Sequence, residues 1–244
     1  MKEDSARTCF SNWIKGLWFA PNALKKAYRA ANGLTGIYLP YWTYDTDTET
    51  SYVGQRGDHY YVTESYTDNA ETKSRQVQKT RWTEVSGKVR INFDDFVVPA
   101  TTSLPEDHLV GLEPWRLADL QPYSESFLAG FTVEAYQIGV EPGFNIACQR
   151  MSGPIRDAIE RDIGGDLQKV ISMSPRYYDI TFKHILLPIW LSSYQYSGKT
   201  WRFIVNGQTG NVQGERPWSG WKIALAVAAI FAVLALVYLW ISIP

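Results

Sequence analysis

Gly198-Lys199-Thr200 has the form of the last three residues of a phosphate-binding loop. Such a loop reads G-x-x-x-x-G-K-[ST], because glycines let consecutive N–H groups wrap the phosphates while the lysine reaches the terminal ones. In this chain the position of the first glycine is Ser193, inside a run of strand character. The loop must also open a helix, whose N-terminus adds partial positive charge. Here "TWRFIV" follows Gly198-Lys199, another strand-like run, and then Asn206-Gly207, a hairpin signal. The reading is strand, turn at Ser197-Gly198-Lys199, strand, turn at Asn206-Gly207, strand. Lys199 is expected to be a turn residue.

Other residues of chemical type fare similarly. Asp45-x-Asp47-x-Glu49 begins like a calcium loop, but the glycine position is Thr50 and the bidentate glutamate position is Arg56, so a solvated strand face is expected. Arg56-Gly57-Asp58 reads as a turn. Asp94 and Asp95 are adjacent in a strand-like run, and neighbouring strand residues point to opposite faces, so the pair is not expected to serve one site. His59, His108 and His184 lack metal spacing, and neither G-x-S-x-G nor a Cys-His pattern is present. No catalytic, cofactor-binding or metal-ligating residue is predicted, and the protein is not expected to be an enzyme.

The composition narrows the remaining classes. A net charge of -1, with acids and bases interspersed, provides no basic stripe for nucleic acid. Cys9 and Cys148 stand far apart, which excludes a local zinc knuckle and fits a reducing compartment. The 10 Trp, 15 Tyr and 10 Phe point to a strand-rich body. "MKEDSARTCF" has no apolar core of secretory type.

Ile223 to Ile243 is a stretch of 21 residues without a charge. As a helix it spans roughly 31 Å, about one hydrocarbon core. Trp218 and Trp221 before it, and Tyr238 and Trp240 near its end, are the expected membrane-interface residues. Arg216 and Lys222 on the near side agree with the positive-inside bias. The predicted topology is single-pass and tail-anchored in a bacterial inner (cell) membrane, with the N-terminal body cytoplasmic.

Three segments are expected: an amphipathic helical segment at 1–33, a cytosolic α+β domain at 34–216, and a transmembrane anchor at 217–244. Within residues 5–32, Phe10, Trp13, Ile14, Leu17 and Trp18 form one helical face, Pro21 restarts the helix and Asn32-Gly33 ends it. From Leu34 the period becomes two, with Trp42, Tyr44, Thr46, Thr48, Thr50 and Tyr52 on one face and Asp45, Asp47 and Glu49 on the other. "HYYVTESYT" and "RQVQKTRWTEV" make a polar hairpin whose charges could pair across strands. Residues 103–128 read as short helical turns and loops, and "LAGFTVEAYQIGV" as strand. A helix from Gly143 to Asp162 carries Phe144, Ala147, Cys148, Met151, Ile155 and Ile159, with Gly153-Pro154 expected to kink or divide it. Gly164-Gly165-Asp166 then turns into further strands. "YLPYWTYD" and "LLPIWLSSY" share L-P-x-W, so the β units could be duplicated. The fold class is therefore α+β, mainly antiparallel sheet with flanking helices, plus one C-terminal transmembrane helix.

"WFAPNALK", "YLPYWTYDTDT", "YVGQRGDHYYV", "RWTEVSGKV", "FLAGFTVEAYQIG", "RDIGGD", "TFKHILLPIWLSSY" and "VNGQTGNVQGERPWSGWKIA" occur in this order. In these blocks the chain resembles a bacterial and archaeal family of zinc-ribbon membrane proteins, often labelled "primosomal protein N′ (replication factor Y), superfamily II helicase". The family's N-terminal Cys-x-x-Cys ribbons have no counterpart here, so the resemblance implies zinc only for members that retain them. It implies a membrane-bound adaptor beside membrane-associated proteins of SPFH (flotillin-like) and phage-shock type. The helicase label conflicts with the missing phosphate loop and with a body too short for two motor domains. Tyr41, Trp42, Tyr44, Tyr60 and Tyr61 are candidate partner-contact residues, with packing inside the domain as the alternative reading for each. An accessory subunit of a larger membrane complex, and a nucleotide-dependent enzyme using Lys199, are the alternative functions. The expected partners are the lipid bilayer and membrane proteins, with no nucleic acid and no small-molecule substrate identified.

Overall fold

Alternation of apolar and polar residues from Thr35 onward produces a strand of unusual length. In the computed structural model, which describes residues 1–21, 33–68 and 71–242 (of 67–68, 71–73 and 239–242 the backbone alone), β1 runs Thr35–Asp68 and β2 runs Glu71–Pro99. They pair antiparallel from Tyr41↔Pro99 to Asp68↔Glu71. β3 (Phe131–Val133) lies parallel to β1, and β4 (Leu167–Tyr196), β5 (Lys199–Asn206) and β6 (Val212–Gly214) complete the sheet in the order β2-β1-β4-β5-β6. The described α-helices are α1 (Glu3–Gly16), α2 (Glu106–Val110), α3 (Val140–Ile163) and α4 (Gly220–Ser242). The fold is α+β, with a mainly antiparallel sheet and one C-terminal helix long and apolar enough to cross a membrane.

The chain divides into two compact units that are discontinuous in sequence. Unit 1 comprises Met1–Pro40, Thr101–Gln137 and Leu186–Pro244; unit 2 comprises Tyr41–Ala100 and Ile138–Ile185. Among the described elements one order, helix, long strand and returning strand, occurs twice: α1, β1, β2 and then α3, β4, β5. The L-P-x-W motifs sit in the two long strands at Leu39–Trp42 and Leu187–Trp190, beside the points where each strand passes from one unit to the other. Unit 1 thus holds α1 together with the β4–β5 hairpin, and unit 2 holds α3 together with the β1–β2 hairpin.

In unit 1, Ala6, Phe10, Ile14 and Leu17 are buried against Trp190, Tyr194, Phe203 and Val205. Phe10 and Phe203 stack in parallel with ring centroids 3.3 Å apart. Trp13 packs at the edge of this cluster. Trp18 does not join it, because α1 stops at Gly16 and the helical register that would bring it inward stops there too. The expected restart after Pro21 lies outside the described residues.

In unit 2, α3 buries Gly143, Ala147, Met151, Ile155, Ile159 and Ile163, a stripe repeating every fourth residue. The helix is undivided, with Pro154 inside it, so of the expected kink or division the division does not occur. Against this stripe lie Trp42, Tyr44, Tyr52, Phe93 and Val98. Thr46, Thr48 and Thr50 on the same strand face are also buried, as the period of two requires.

Two expectations are corrected by the sheet. Arg56-Gly57-Asp58 forms no turn; it is interior to β1, with Gly57 opposite Trp82. The run from Leu128 to Val140 is strand only at Phe131–Val133, since Glu134 and Gln137 turn their side chains to Thr101, Thr102 and Ser103. The segment 103–128 contains α2 and two 3-10 turns, Leu117–Asp119 and Glu125–Leu128, as expected.

Candidate functional site

Lys199 is the first residue of β5 and pairs with Tyr196. Ser197 and Gly198 between them both have positive φ, 52° and 73°, the conformation of a two-residue hairpin turn. The next element after Thr200 is the remainder of β5 and not a helix N-terminus, so the backbone here does not form a phosphate cradle. Asn206 closes the following turn: its side-chain oxygen accepts from the N–H groups of Gln208 and Thr209, and its amide donates to the Leu112 carbonyl at 2.9 Å.

The aspartates behave differently from the expectation. Asp94 and Asp95 do come together with Asp45, one carboxylate oxygen of each lying within 4.8 Å of the others. The cause is a β-bulge: the register shifts between Tyr44↔Phe96 and Thr46↔Phe93, so Asp45 faces two residues where regular strand would offer one. Asp95 takes φ 50° and its N–H donates to Asp45 Oδ1 at 2.7 Å. Lys183 Nζ lies 2.8 Å from Asp95 Oδ1 and 3.3 Å from Asp45 Oδ2, and the Thr181 hydroxyl donates to Asp45 at 3.1 Å. The Asp95 N–H, then Thr181 and Lys183, hold the Asp45 carboxyl below its ordinary range, and the Asp95 bond raises Lys183. Two of the three carboxylates that could hold a metal, Asp45 and Asp95, are thus already paired with the Lys183 ammonium, which acts as the counter-ion of the bulge.

Three of the five candidate contact residues are core residues. Tyr41, Trp42 and Tyr44 are buried, which corrects their placement on a partner surface. The Trp42 indole donates to the Ile138 carbonyl at 2.8 Å and the Tyr44 hydroxyl to the Val140 carbonyl at 2.7 Å, so both side chains fix the entry into α3. Gly143 completes this joint: a Cβ there would stand 2.5 Å from the Tyr44 hydroxyl oxygen and 2.9 Å from the Trp42 ring.

Tyr60 and Tyr61 are exposed, at 38% and 65%. They stand on the outer part of the β1–β2 hairpin. Asp166, just before β4, donates its N–H to the Gly57 carbonyl and accepts from the His59 N–H at 2.6 Å. Beyond that point β1 and β2 continue as a two-stranded ribbon, from His59↔Thr80 to Asp68↔Glu71, about 30 Å long at the rise of a strand. Its surface carries Tyr60, Tyr61 and Tyr66, with Arg81 5.3 Å from the Tyr60 ring and Arg75 5.7 Å from the Tyr66 ring. Glu64 meets Lys79 at 2.8 Å and Arg75 at 3.8 Å, the cross-strand charge pairing expected of this hairpin. Among the described residues, none of the ribbon beyond His59 belongs to either hydrophobic core. Sequence reasoning misses Tyr66, which stands two residues from Glu64 and therefore on the same face of the ribbon.

At the C-terminal end, the segment Gly220–Tyr238 is long and apolar enough to cross a membrane and none of it is buried. Leu225, Ile230, Phe231, Val233, Leu234 and Leu236 are each exposed, pointing around the helix and not along one stripe. Trp218, Trp221 and Tyr238 are exposed at its two ends, and the Arg216 guanidinium lies 4.5 Å from the Trp218 ring. The Trp240 side chain lies outside the described residues. The histidines perform local tasks: His59 Nδ1 is 3.0 Å from the Thr80 hydroxyl, His184 lies 4.9 Å from the Trp42 ring with its pKa lowered by burial, and His108 borders a recess of about 70 Å³ with Arg202 and Glu215.

No protein-family model matches this chain, and no solved structure matches it. The chain is similar to a protein of Bacillus subtilis (strain 168) described as uncharacterised protein YdjG, with 27% identity over 233 residues. That similarity covers 92% of this chain and 63% of the relative's length, so the chain spans a little under two thirds of the protein it resembles.

Proposed function

We propose that this protein is a membrane-anchored, non-catalytic adaptor. Its C-terminal helix holds it in a bacterial cell membrane and its body presents a protein-binding surface on the cytoplasmic side. The observation that supports this reading is the β1–β2 ribbon beyond His59, which displays Tyr60, Tyr61 and Tyr66 on a two-stranded projection. A two-stranded hairpin alone in water is marginally stable, and tyrosines exposed on such a ribbon suit a partner surface. The resemblance to zinc-ribbon membrane proteins favours partners of SPFH or phage-shock type. A photo-crosslinking residue at Tyr61, compared with one at Tyr123 in native membranes, tests this. The adaptor reading predicts a discrete adduct with one membrane-associated protein from position 61 and none from position 123. Equal or absent labelling at both contradicts it.

The accessory-subunit alternative predicts instead that the chain co-purifies in fixed stoichiometry with a larger complex through α4 alone, with the ribbon deleted. The nucleotide-dependent alternative predicts that ATP stabilises the protein against heat and that Lys199→Ala abolishes the shift. The hairpin turn at Ser197-Gly198 argues against the latter.

A further inference from the structure

The residues that follow α1 are tied to the base of the apolar C-terminal helix. The Ser219 N–H donates to the Phe19 carbonyl at 2.8 Å. Lys222 Nζ donates to the Trp18 carbonyl at 3.2 Å and to the Ala20 carbonyl at 2.8 Å. Three successive carbonyls are therefore engaged by the first turn of α4 and the residue before it. The side chains divide sharply around this joint. Leu17 and Ala20 are buried in the unit 1 core, whereas Trp18 is 82% exposed and Phe19 37%.

Trp218 and Trp221 are exposed as well, at 58% and 62%, and the Phe19 ring lies 6.5 Å from the Trp218 ring. Four aromatic side chains, two from either end of the sequence, are thus gathered where α4 begins. Two cations accompany them: Arg216 over the Trp218 ring, and Lys222 6.0 Å from the Trp221 ring. Large aromatic rings with a polar edge beside Lys and Arg are the chemistry of the headgroup level of a bilayer. The charge-free run starts at Ile223, one residue after Lys222, about 1.5 Å further along the helix axis. A membrane that receives Ile223 therefore lies within reach of whatever is bonded to Lys222.

We propose that Trp18 and Phe19 form a second membrane contact, inserting into the headgroup–acyl boundary of the leaflet that α4 enters. With Trp218 and Trp221 they make an aromatic collar around the base of the helix. The occupant of this surface is lipid. The collar ties unit 1 to the bilayer at two points of the chain, so α4 is not a free tether. This inference rests on α4 being a membrane span, and the test separates the two.

Spin labels are placed one at a time, by Trp18→Cys, Ile230→Cys and Tyr123→Cys, in the full-length protein carrying Cys9→Ser and Cys148→Ala, reconstituted in phosphatidylethanolamine–phosphatidylglycerol vesicles. Oxygen, which concentrates in lipid, and a water-soluble nickel chelate report the surroundings of each label. The expected result is a deep position for label 230, an aqueous one for label 123, and severalfold protection of label 18 from nickel relative to label 123, with high oxygen access. A deep label 230 combined with an aqueous label 18, or with a label 18 shielded from both reagents by protein, overturns the collar while leaving the anchor standing. An aqueous label 230 overturns both.

Discussion

The Lys222 ammonium donates to the carbonyl oxygen of Ala20, 2.8 Å away and 202 positions earlier in the chain. This bond joins the end of the α1 segment to the start of the apolar helix, and the adjacent bond from the Ser219 N–H to the Phe19 carbonyl depends on the same alignment. Lys222→Ala leaves the charge-free run intact but removes the clamp. The Ser219 amide is expected to exchange with solvent about tenfold faster, in line with the loss of a hydrogen bond from a charged group. Unchanged protection would show that the joint is held by other contacts.

Gly143→Ala tests the seat of α3. Alanine favours a helix by about 1 kcal/mol over glycine, but the new methyl would stand 2.5 Å from the Tyr44 hydroxyl oxygen and 2.9 Å from the Trp42 ring. Overpacking costs of about 1–3 kcal/mol outweigh the propensity gain, so denaturant unfolding should shift to lower concentration. In a Tyr44→Phe background the same substitution should cost less, because the nearest clashing atom is gone. Additive costs would contradict the packing assigned to this joint.

Burial is the largest cause holding the Tyr44, Tyr52 and Tyr194 hydroxyls at about 12 and also raises Tyr177. Tyr52 is held further by its 2.5 Å hydrogen bond to Asp162. A raised folded-state pKa means that the neutral phenol is favoured in the fold. The stability involved is complete below the ordinary tyrosine value near 10 and is lost as pH rises from about 10 through about 12. Phenolate absorbance should therefore rise in two stages, exposed tyrosines first and these four together with unfolding. Tyr52→Phe should lower stability at neutral pH and flatten this alkaline dependence.

On the acid side, burial lowers the pKa of His184, so the neutral imidazole is favoured in the fold. This contribution is present above the ordinary histidine value near 6.5 and is lost as pH falls through the lower folded value. His184→Gln should reduce the loss of stability on going from pH about 7 to about 5. An identical pH profile for the variant would assign the acid sensitivity elsewhere.

Elements whose order is set by local chemistry were legible in the sequence. The stripe Ala147, Met151, Ile155 and Ile159 defines the buried face of α3, the Ser197-Gly198 turn takes the positive φ that a two-residue hairpin requires, and a turn does follow Asn206, with its positive φ at Gly210. The charge-free run from Ile223 forms α4. What escaped reading depends on partners distant in sequence. Asp94 and Asp95 share a side with Asp45 through a one-residue bulge that no local period encodes. Trp42 and Tyr44 turn inward because Ile138 and Val140 offer them carbonyls some 96 positions later. Trp18 continues the helical spacing of α1 on paper, yet the helix stops two residues before it. Tyr60 and Tyr61 share the composition of the buried tyrosines and differ in lying beyond Asp166, where the sheet narrows to two strands.

The proposed adaptor requires α4 to span a membrane with the body on the cytoplasmic face, and sidedness tests this most directly. Tyr123 is exposed and lies in unit 1, so a Tyr123→Cys variant lacking Cys9 and Cys148 can be probed with a membrane-impermeant maleimide in right-side-out and inverted vesicles. Labelling in inverted vesicles only, with the protein resisting alkaline carbonate extraction, is the predicted result. Labelling in right-side-out vesicles, or release of the protein by carbonate, would contradict it.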